Sequence, residues 1–213
     1  MKNPVFRPSL WQKWSPSKIK MYIDCPRQFL FRYIHRHYYD IKPLISVYAL
    51  FGVEMHKKFK YFFDQKNGFE SPESFGNTWK FTWVESCKEK NLRLVTKEDK
   101  QEAHRKMGLG ILMLRAFWRF NHPYRCFYRK NKLVSENTLP VPATETALNF
   151  SYGGFYLEGR IDRIQDNAVW DYKTGKSRYS QEELSRDLQF TILQLGYQEI
   201  YNKKPFPYIQ SVE

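Results

Sequence analysis

Residues 157–176 read LEGRIDRIQDNAVWDYKTGK, two strand-like runs on either side of a polar turn. This stretch constrains the fold more tightly than any other. Short runs with alternating character mark strands, and Asp166-Asn167 suits a two-residue hairpin turn in which both residues take positive φ. With that pair at the turn, Gln165 faces Ala168 and Ile164 faces Val169. Asp162 then falls directly opposite Asp171 on the same face, and Lys173 falls opposite Arg160. Directly opposed β-carbons lie about 4.5–5.5 Å apart, and like charges at that spacing destabilise the pairing. Two arrangements relieve the conflict. Arg160 and Lys173 neutralise the acids as a charge ladder, or a divalent cation lies between the carboxylates. Hard oxygen ligands at this separation suit Mg²⁺ or Mn²⁺, which keep waters and accept phosphate oxygens. Val169 and Trp170 precede Asp171-Tyr172-Lys173, so a carboxylate and an ammonium stand side by side where a strand leaves the core. A metal, a lysine and a phosphodiester are the components of phosphoester hydrolysis.

The charge balance is compatible with such a substrate. Lys plus Arg is 35 against 22 for Asp plus Glu, a net charge of +13. A surplus of that size favours a polyanionic partner, nucleic acid first and an anionic membrane surface second, with a solvated basic surface as the plain alternative. No basic amphipathic helix with a clean apolar face supports the membrane reading. No apolar run approaches the ~20 residues that span a bilayer, and the N-terminus lacks the pattern of a signal peptide, so a cytoplasmic protein is expected. Aromatic residues make up 18% of the chain, which indicates a folded protein. The three cysteines, Cys25, Cys87 and Cys126, are far apart and form no CxxC pair, which argues for reduced thiols.

Along the chain, residues 15–24 predict a helix capped by Ser15 with Pro16 at its first position and Ile19, Tyr22 and Ile23 on its apolar face. Pro26 interrupts it, and the helix resumes through Phe29, Leu30, Tyr33 and Ile34. A third helix over 50–64 places Val53, His56, Phe59 and Phe63 on one stripe. Residues 71–130 stay helical, with Asn121-His122-Pro123 closing the last helix of that region. Strands follow from 141, then a single helix over 180–201 with a Ser180–Glu183 capping box, then a final strand from 205. TGKS at 174–177 imitates the end of a P-loop, but position 170 is Trp where that motif requires Gly. Gly108 and Gly110, inside a helical pattern, are too weak to mark a nucleotide loop. The order of elements predicts an α/β protein, with a central mixed sheet flanked by helices and a helical lobe inserted in the first half.

Five segments in order, SPSKIKMYIDCPRQFLFRYI (15–34), GVEMH (52–56), GRIDRI (159–164), WDYKTGK (170–176) and DLQFTIL (187–193), resemble the PD-(D/E)XK nuclease superfamily and its RecB-like branch. Within that branch the chain is similar to CRISPR-associated RecB-like exonucleases and to the nuclease domains of helicase–nuclease complexes. The resemblance implies a restriction-endonuclease-like core over about 15–64 plus 131–213, an inserted lobe over about 65–130, and a single nuclease domain over 1–213. It implies metal ligation by His56, Asp162, Asp171 and the backbone carbonyl of Tyr172, with Lys173 at the catalytic-lysine position. Gln189 matches the glutamine of a Q-x-x-x-Y motif. Leu193 stands where its tyrosine is expected, and Tyr197 lies one helical turn further on. Arg160 and Lys176 complete a set of DNA-binding or site-supporting residues. Iron–sulfur relatives pair a cysteine at the place of Cys25 with three near the C-terminus. No cysteine follows Cys126, so no iron–sulfur cluster is expected.

The expected activity is Mg²⁺- or Mn²⁺-dependent hydrolysis of DNA, most readily as an exonuclease on DNA ends or single strands. The expected setting is DNA repair or CRISPR adaptation, alongside a helicase, a recombination protein or a CRISPR-adaptation protein. Trp79, Trp83 and Trp118 in the lobe would either stack bases beside a basic channel or pack a core. A non-catalytic DNA-end-binding adaptor on the same fold is the rival reading, and the intact Asp162, Asp171 and Lys173 set argues against it.

Overall fold

A computed structural model describes residues 13–36, 39, 45–64, 69–89, 97–134, 143–174 and 180–211, without the side chains of 123–134, 181 and 211. Five strands form one mixed sheet: β1 (Lys13–Trp14), β2 (Ala143–Tyr152), β3 (Phe155–Gln165), β4 (Ala168–Lys173) and β5 (Phe206–Ser211). The order is β1-β3-β4-β5, with β2 also paired to β3. β1 runs parallel to β3 through Lys13–Tyr156 and Trp14–Leu157, whereas β3 and β4 are antiparallel. The helices are α1 (Pro16–Asp24), α2 (Pro26–Phe29) leading into a π-helical turn (Leu30–His35), α3 (Val47–Asp64), α4 (Pro72–Glu89), α5 (Lys97–Val134), α6 (Gln181–Arg186) and α7 (Leu188–Tyr201). The α/β architecture expected from the sequence is the one observed. No helix among the described residues is long and apolar enough to cross a membrane.

The described residues fall into two compact units. One is drawn from residues 1–42, 145–171 and 179–208. Its core packs Leu148, Phe150, Leu157, Ile161 and Val169 of the sheet against Ile192, Leu193 and Tyr197 of α7. Gly196 permits the close approach of α7, because a Cβ there would stand 2.5 Å from the Phe150 ring and 2.9 Å from Leu148. The other unit, from 43–144, 172–178 and 209–213, is a helical lobe around Phe51, Met55, Phe59, Phe62, Phe75, Trp79, Met113, Leu114, Phe117 and Tyr172.

Local chemistry explains the element ends. Ser15 accepts from the Lys18 N–H at 3.3 Å and caps α1, with Pro16 behind it. Cys25 ends α1 and starts α2: its sulfur accepts from the Gln28 N–H at 3.4 Å. Ser180 and Glu183 form the expected capping box.

Several expectations are corrected. Residues 180–201 form two helices, because Asp187 adopts an extended conformation and its carboxylate caps the Phe190 N–H at 3.0 Å. Asn121-His122-Pro123 do not end α5, which runs on to Val134; a single missing N–H interrupts a helix without stopping it. Val53 is exposed, and the buried stripe of α3 runs through Val47, Leu50, Phe51, Met55, Phe59, Phe62 and Phe63. On α1 only Ile19 packs into the core, while Tyr22 and Ile23 are exposed. Strand β1, two residues long, has no sequence signature of its own.

Trp79 and Trp83 are core residues, 0% and 2% exposed. Their indole N–H groups donate to the carbonyls of Lys106 at 3.3 Å and Ala103 at 2.8 Å. Trp118 is partly buried and donates to Phe69 at 3.1 Å. These bonds satisfy the polar edge of each ring inside the lobe, so neither Trp79 nor Trp83 offers a face to a base.

Candidate active site

The β3–β4 hairpin sets the site. Asp166 and Asn167 have φ of 51° and 59°, the left-handed pair of a type I′ turn. The register is Arg163–Trp170, Ile164–Val169 and Gln165–Ala168. Alternation along each strand puts Asp162 and Asp171 together on the face opposite Arg163 and Trp170. Both aspartates are buried, at 8% and 2% exposure. On the other face the Arg163 guanidinium lies 4.5 Å over the Trp170 ring, and Trp170 packs against Tyr208 at 3.8 Å. That stack fixes the strands from behind and leaves the aspartates on the opposite face.

A third carboxylate enters from β2. Oxygens of Glu145 and Asp162 come within 4.8 Å of one another, close enough to share one ion. Glu145 has φ of 51°, a left-handed conformation that is uncommon for a non-glycine residue and atypical inside a strand. Backbone of this kind concentrates at functional sites. Arg160 donates to the Glu145 carboxylate at 3.4 Å. The sequence reading missed Glu145: a single acid in TETALNF carries no local signal, and only the pairing of β2 with β3 brings it to Asp162.

Asp171 is held differently. The Gln189 side-chain amide donates to its Oδ1 at 2.7 Å. Gln189 sits in the first turn of α7, a position set by the Asp187 cap. Leu193, one turn on, is buried against Gly159, where a Cβ would stand 2.9 Å from its Cδ2. Tyr197 is buried, its hydroxyl donates to the Asn167 side chain at 3.2 Å, and burial pushes its pKa up. Its polar end therefore supports the hairpin turn, while Gln189 alone of this helix motif reaches an aspartate.

His56 is half-buried on α3, with its ring 6.3 Å from that of Tyr172, the residue that follows Asp171. The Tyr172 side chain is 2% exposed and packs on Phe59 and Phe117 at 5.1 and 5.3 Å. Lys173, the last residue of β4, is half-buried. Lys176 lies outside the described residues.

A groove of about 540 Å³ opens within the sheet-bearing unit, lined among others by Ser15, Asn149, Glu158, Arg160, Gln189 and Leu193. Arg160 and Gln189, which hold Glu145 and Asp171, thus also line the groove. The family model of the PD-(D/E)XK nuclease superfamily matches residues 13–207, nearly the whole chain. The chain belongs to the PD-(D/E)XK nuclease superfamily. No curated protein matches the sequence. PD-(D/E)XK nucleases use divalent metals, and the donors here fit one: Glu145 and Asp162 offer hard oxygens within 4.8 Å, on strands that hold them largely out of solvent.

Gln189 donates to Asp171, so its removal tests positioning. Gln189→Ala is expected to lower kcat roughly tenfold with little change in KM, as loss of a bond that orients a ligand does. Steady-state cleavage kinetics checks this; an unchanged kcat removes Gln189 from the site.

Proposed function

We propose that the chain is a divalent-metal-dependent deoxyribonuclease of the RecB-like type that hydrolyses phosphodiester bonds at DNA ends or in single strands. The support that carries the reading is that Asp162 and Asp171, both buried, fall on one face of the β3–β4 hairpin. Glu145 beside Asp162 supports it, and so do the segments around His56 and Lys173 that resemble RecB-like nucleases.

In this reading Glu145, Asp162 and Asp171 hold Mg²⁺ or Mn²⁺, with His56 and the Tyr172 carbonyl completing the ligand set. A cation bound there lowers the pKa of water and neutralises charge on phosphate oxygens. The remaining work falls to the chain's own residues. Gln189 fixes the rotamer of Asp171 through Oδ1. Arg160 holds Glu145 on the ion side and lines the groove. The Lys173 ammonium stabilises the charge that develops on the phosphate as the attacking oxygen bonds in line and the leaving oxygen departs. The groove seats the strand beside the scissile phosphate. The wider setting, a helicase, a recombination protein or a CRISPR-adaptation protein handing over DNA ends in the cytoplasm, rests on the resemblance alone.

End-labelled single- and double-stranded DNA, incubated with Mg²⁺, Mn²⁺ or EDTA, tests the reading. Degradation is expected with either metal and none in EDTA, and none with Asp171→Ala under any condition. Degradation by both proteins would place the chemistry elsewhere. Salt-sensitive binding without degradation by either would point to a DNA-end adaptor.

A further inference from the structure

The segment that follows Pro26 has two opposite sides. Phe29 is 9% exposed and lies parallel to Trp14, with centroids 5.5 Å apart and planes at 8°. Tyr22 meets both rings edge-on. That is the inner side. Two residues on, Phe31 faces outward and is 54% exposed. It belongs to a row of flat groups at intervals of four residues. The Arg27 guanidinium lies 5.8 Å over the Phe31 ring. Phe31 and His35 stand 5.3 Å apart, and His35 and Tyr39 stand 5.9 Å apart with planes at 23°. Tyr39 is 63% exposed. Side chains four apart share a helix face, and here the helix is wound as a π-turn over Leu30–His35, in which the Arg36 N–H bonds to the Phe31 carbonyl five residues back. π-Turns recur at functional sites.

Such an outward row carries a cost that a merely structural helix avoids. Phe31 and Tyr39 each leave most of an aromatic ring in water, with Leu30 beside them at 38% exposure. The surrounding charge is one-sided. Over residues 20–39 Lys20, Arg27, Arg32 and Arg36 face a single acid, Asp24. An apolar protein partner would be met by rings and aliphatic groups without this cationic frame. A duplex keeps its base faces stacked inside. A single strand offers both a polyanionic backbone and uncovered π-faces, the pair of features that stacking platforms use.

We propose that the face formed by Arg27, Phe31, His35 and Tyr39 is a base-stacking platform for single-stranded nucleic acid. The inference rests on the nuclease reading for its substrate class and adds the surface that grips the strand. Sandwiching a base between two rungs needs about 6.8 Å, twice the spacing of stacked bases. Reaching that from the observed 5.3 and 5.9 Å steps requires the exposed side chains to rotate. Arginines at the flanks then meet phosphates.

The test is fluorescence anisotropy of a labelled oligothymidylate in EDTA, so that binding is read without cleavage. Phe31→Ala/Tyr39→Ala is expected to weaken single-strand binding at least about tenfold while leaving duplex binding within about twofold. The indole emission of the Phe31→Trp protein is expected to be quenched by the oligonucleotide. Circular dichroism shows whether the double variant remains folded, and if it does not, the Phe31→Trp measurement decides alone. Unchanged single-strand affinity of a folded double variant, or unquenched emission, overturns the proposal and assigns the face to a protein partner. A parent that cleaves with Mg²⁺ while the double variant binds normally sinks the platform alone. A parent that binds in this way but never cleaves sinks the nuclease reading alone.

Discussion

Replacing Asp162 with asparagine is expected to lower the rate of DNA cleavage at least about a thousandfold and, without metal, to leave the fold as stable as the parent or more so. The two halves of that outcome have one cause. Asp162 shares a face of the hairpin with Asp171 and lies within 4.8 Å of a Glu145 oxygen, largely out of water. Carboxylates crowded on one face repel, and asparagine removes one of them while keeping size and shape. On the proposed reading the same change deletes a ligand oxygen. Losing one electrostatic group at such a centre costs about a hundred- to a thousandfold in rate, and losing part of the cation's hold adds to this. Thermal melts give the second readout. Mg²⁺ is expected to raise the parent's Tm, since a ligand that binds only the folded state stabilises it, and to leave Asp162→Asn nearly unmoved. A variant that cleaves at the parental rate, or one whose Tm falls by several degrees in EDTA, would show that Asp162 serves the hairpin and not an ion.

The second large effect lies in the helical lobe. Gly110 on α5 faces the Trp79 indole so closely that a Cβ would overlap the ring. Trp79 has no room to retreat. It is fully buried, stacked on Trp83 at 5.5 Å and set edge-on to Phe51 at 5.5 Å, and its N–H is committed to Lys106. Gly110→Ala is therefore expected to cost about 3 kcal/mol, the upper part of the range for overpacked cores, or about 6–12 °C in Tm for a chain of this size. Gly108, two residues earlier on the same helix, has nothing within 4 Å of its would-be Cβ. Gly108→Ala is expected to raise stability by up to about 1 kcal/mol through helix propensity. Differential melting of the two variants checks the pair, and equal shifts would contradict the packing described.

The contrast shows what sequence could and could not supply. The hairpin was legible because its information is local: alternation, a turn pair that tolerates positive φ, and acids at symmetric distances from it. That Asp162 and Asp171 share a face follows from counting. Glu145 does not, because its place beside Asp162 depends on how β2 pairs with β3, and its left-handed backbone leaves no trace in TETALNF. Gly110 looked like a weak loop signal, and its reason is a ring 31 positions earlier in the chain. Trp79 and Trp83 fit a base-stacking role or a core equally well by type, and their burial and their hydrogen bonds to backbone carbonyls separate the two. Asp187 carried a readable cap, yet the continuous apolar spacing on either side of it masked the break.

Strand β1 touches its partner across a long stretch of chain, since Trp14 pairs with Leu157. On a ribosome adding about 5–20 residues per second, the wait between the two is about seven to thirty seconds. Throughout it Trp14 has no β3 to pair with, while the helices encoded in between emerge complete. The aromatic cluster of Trp14 and Phe29 thus waits for its sheet during synthesis, the kind of surface that chaperones engage.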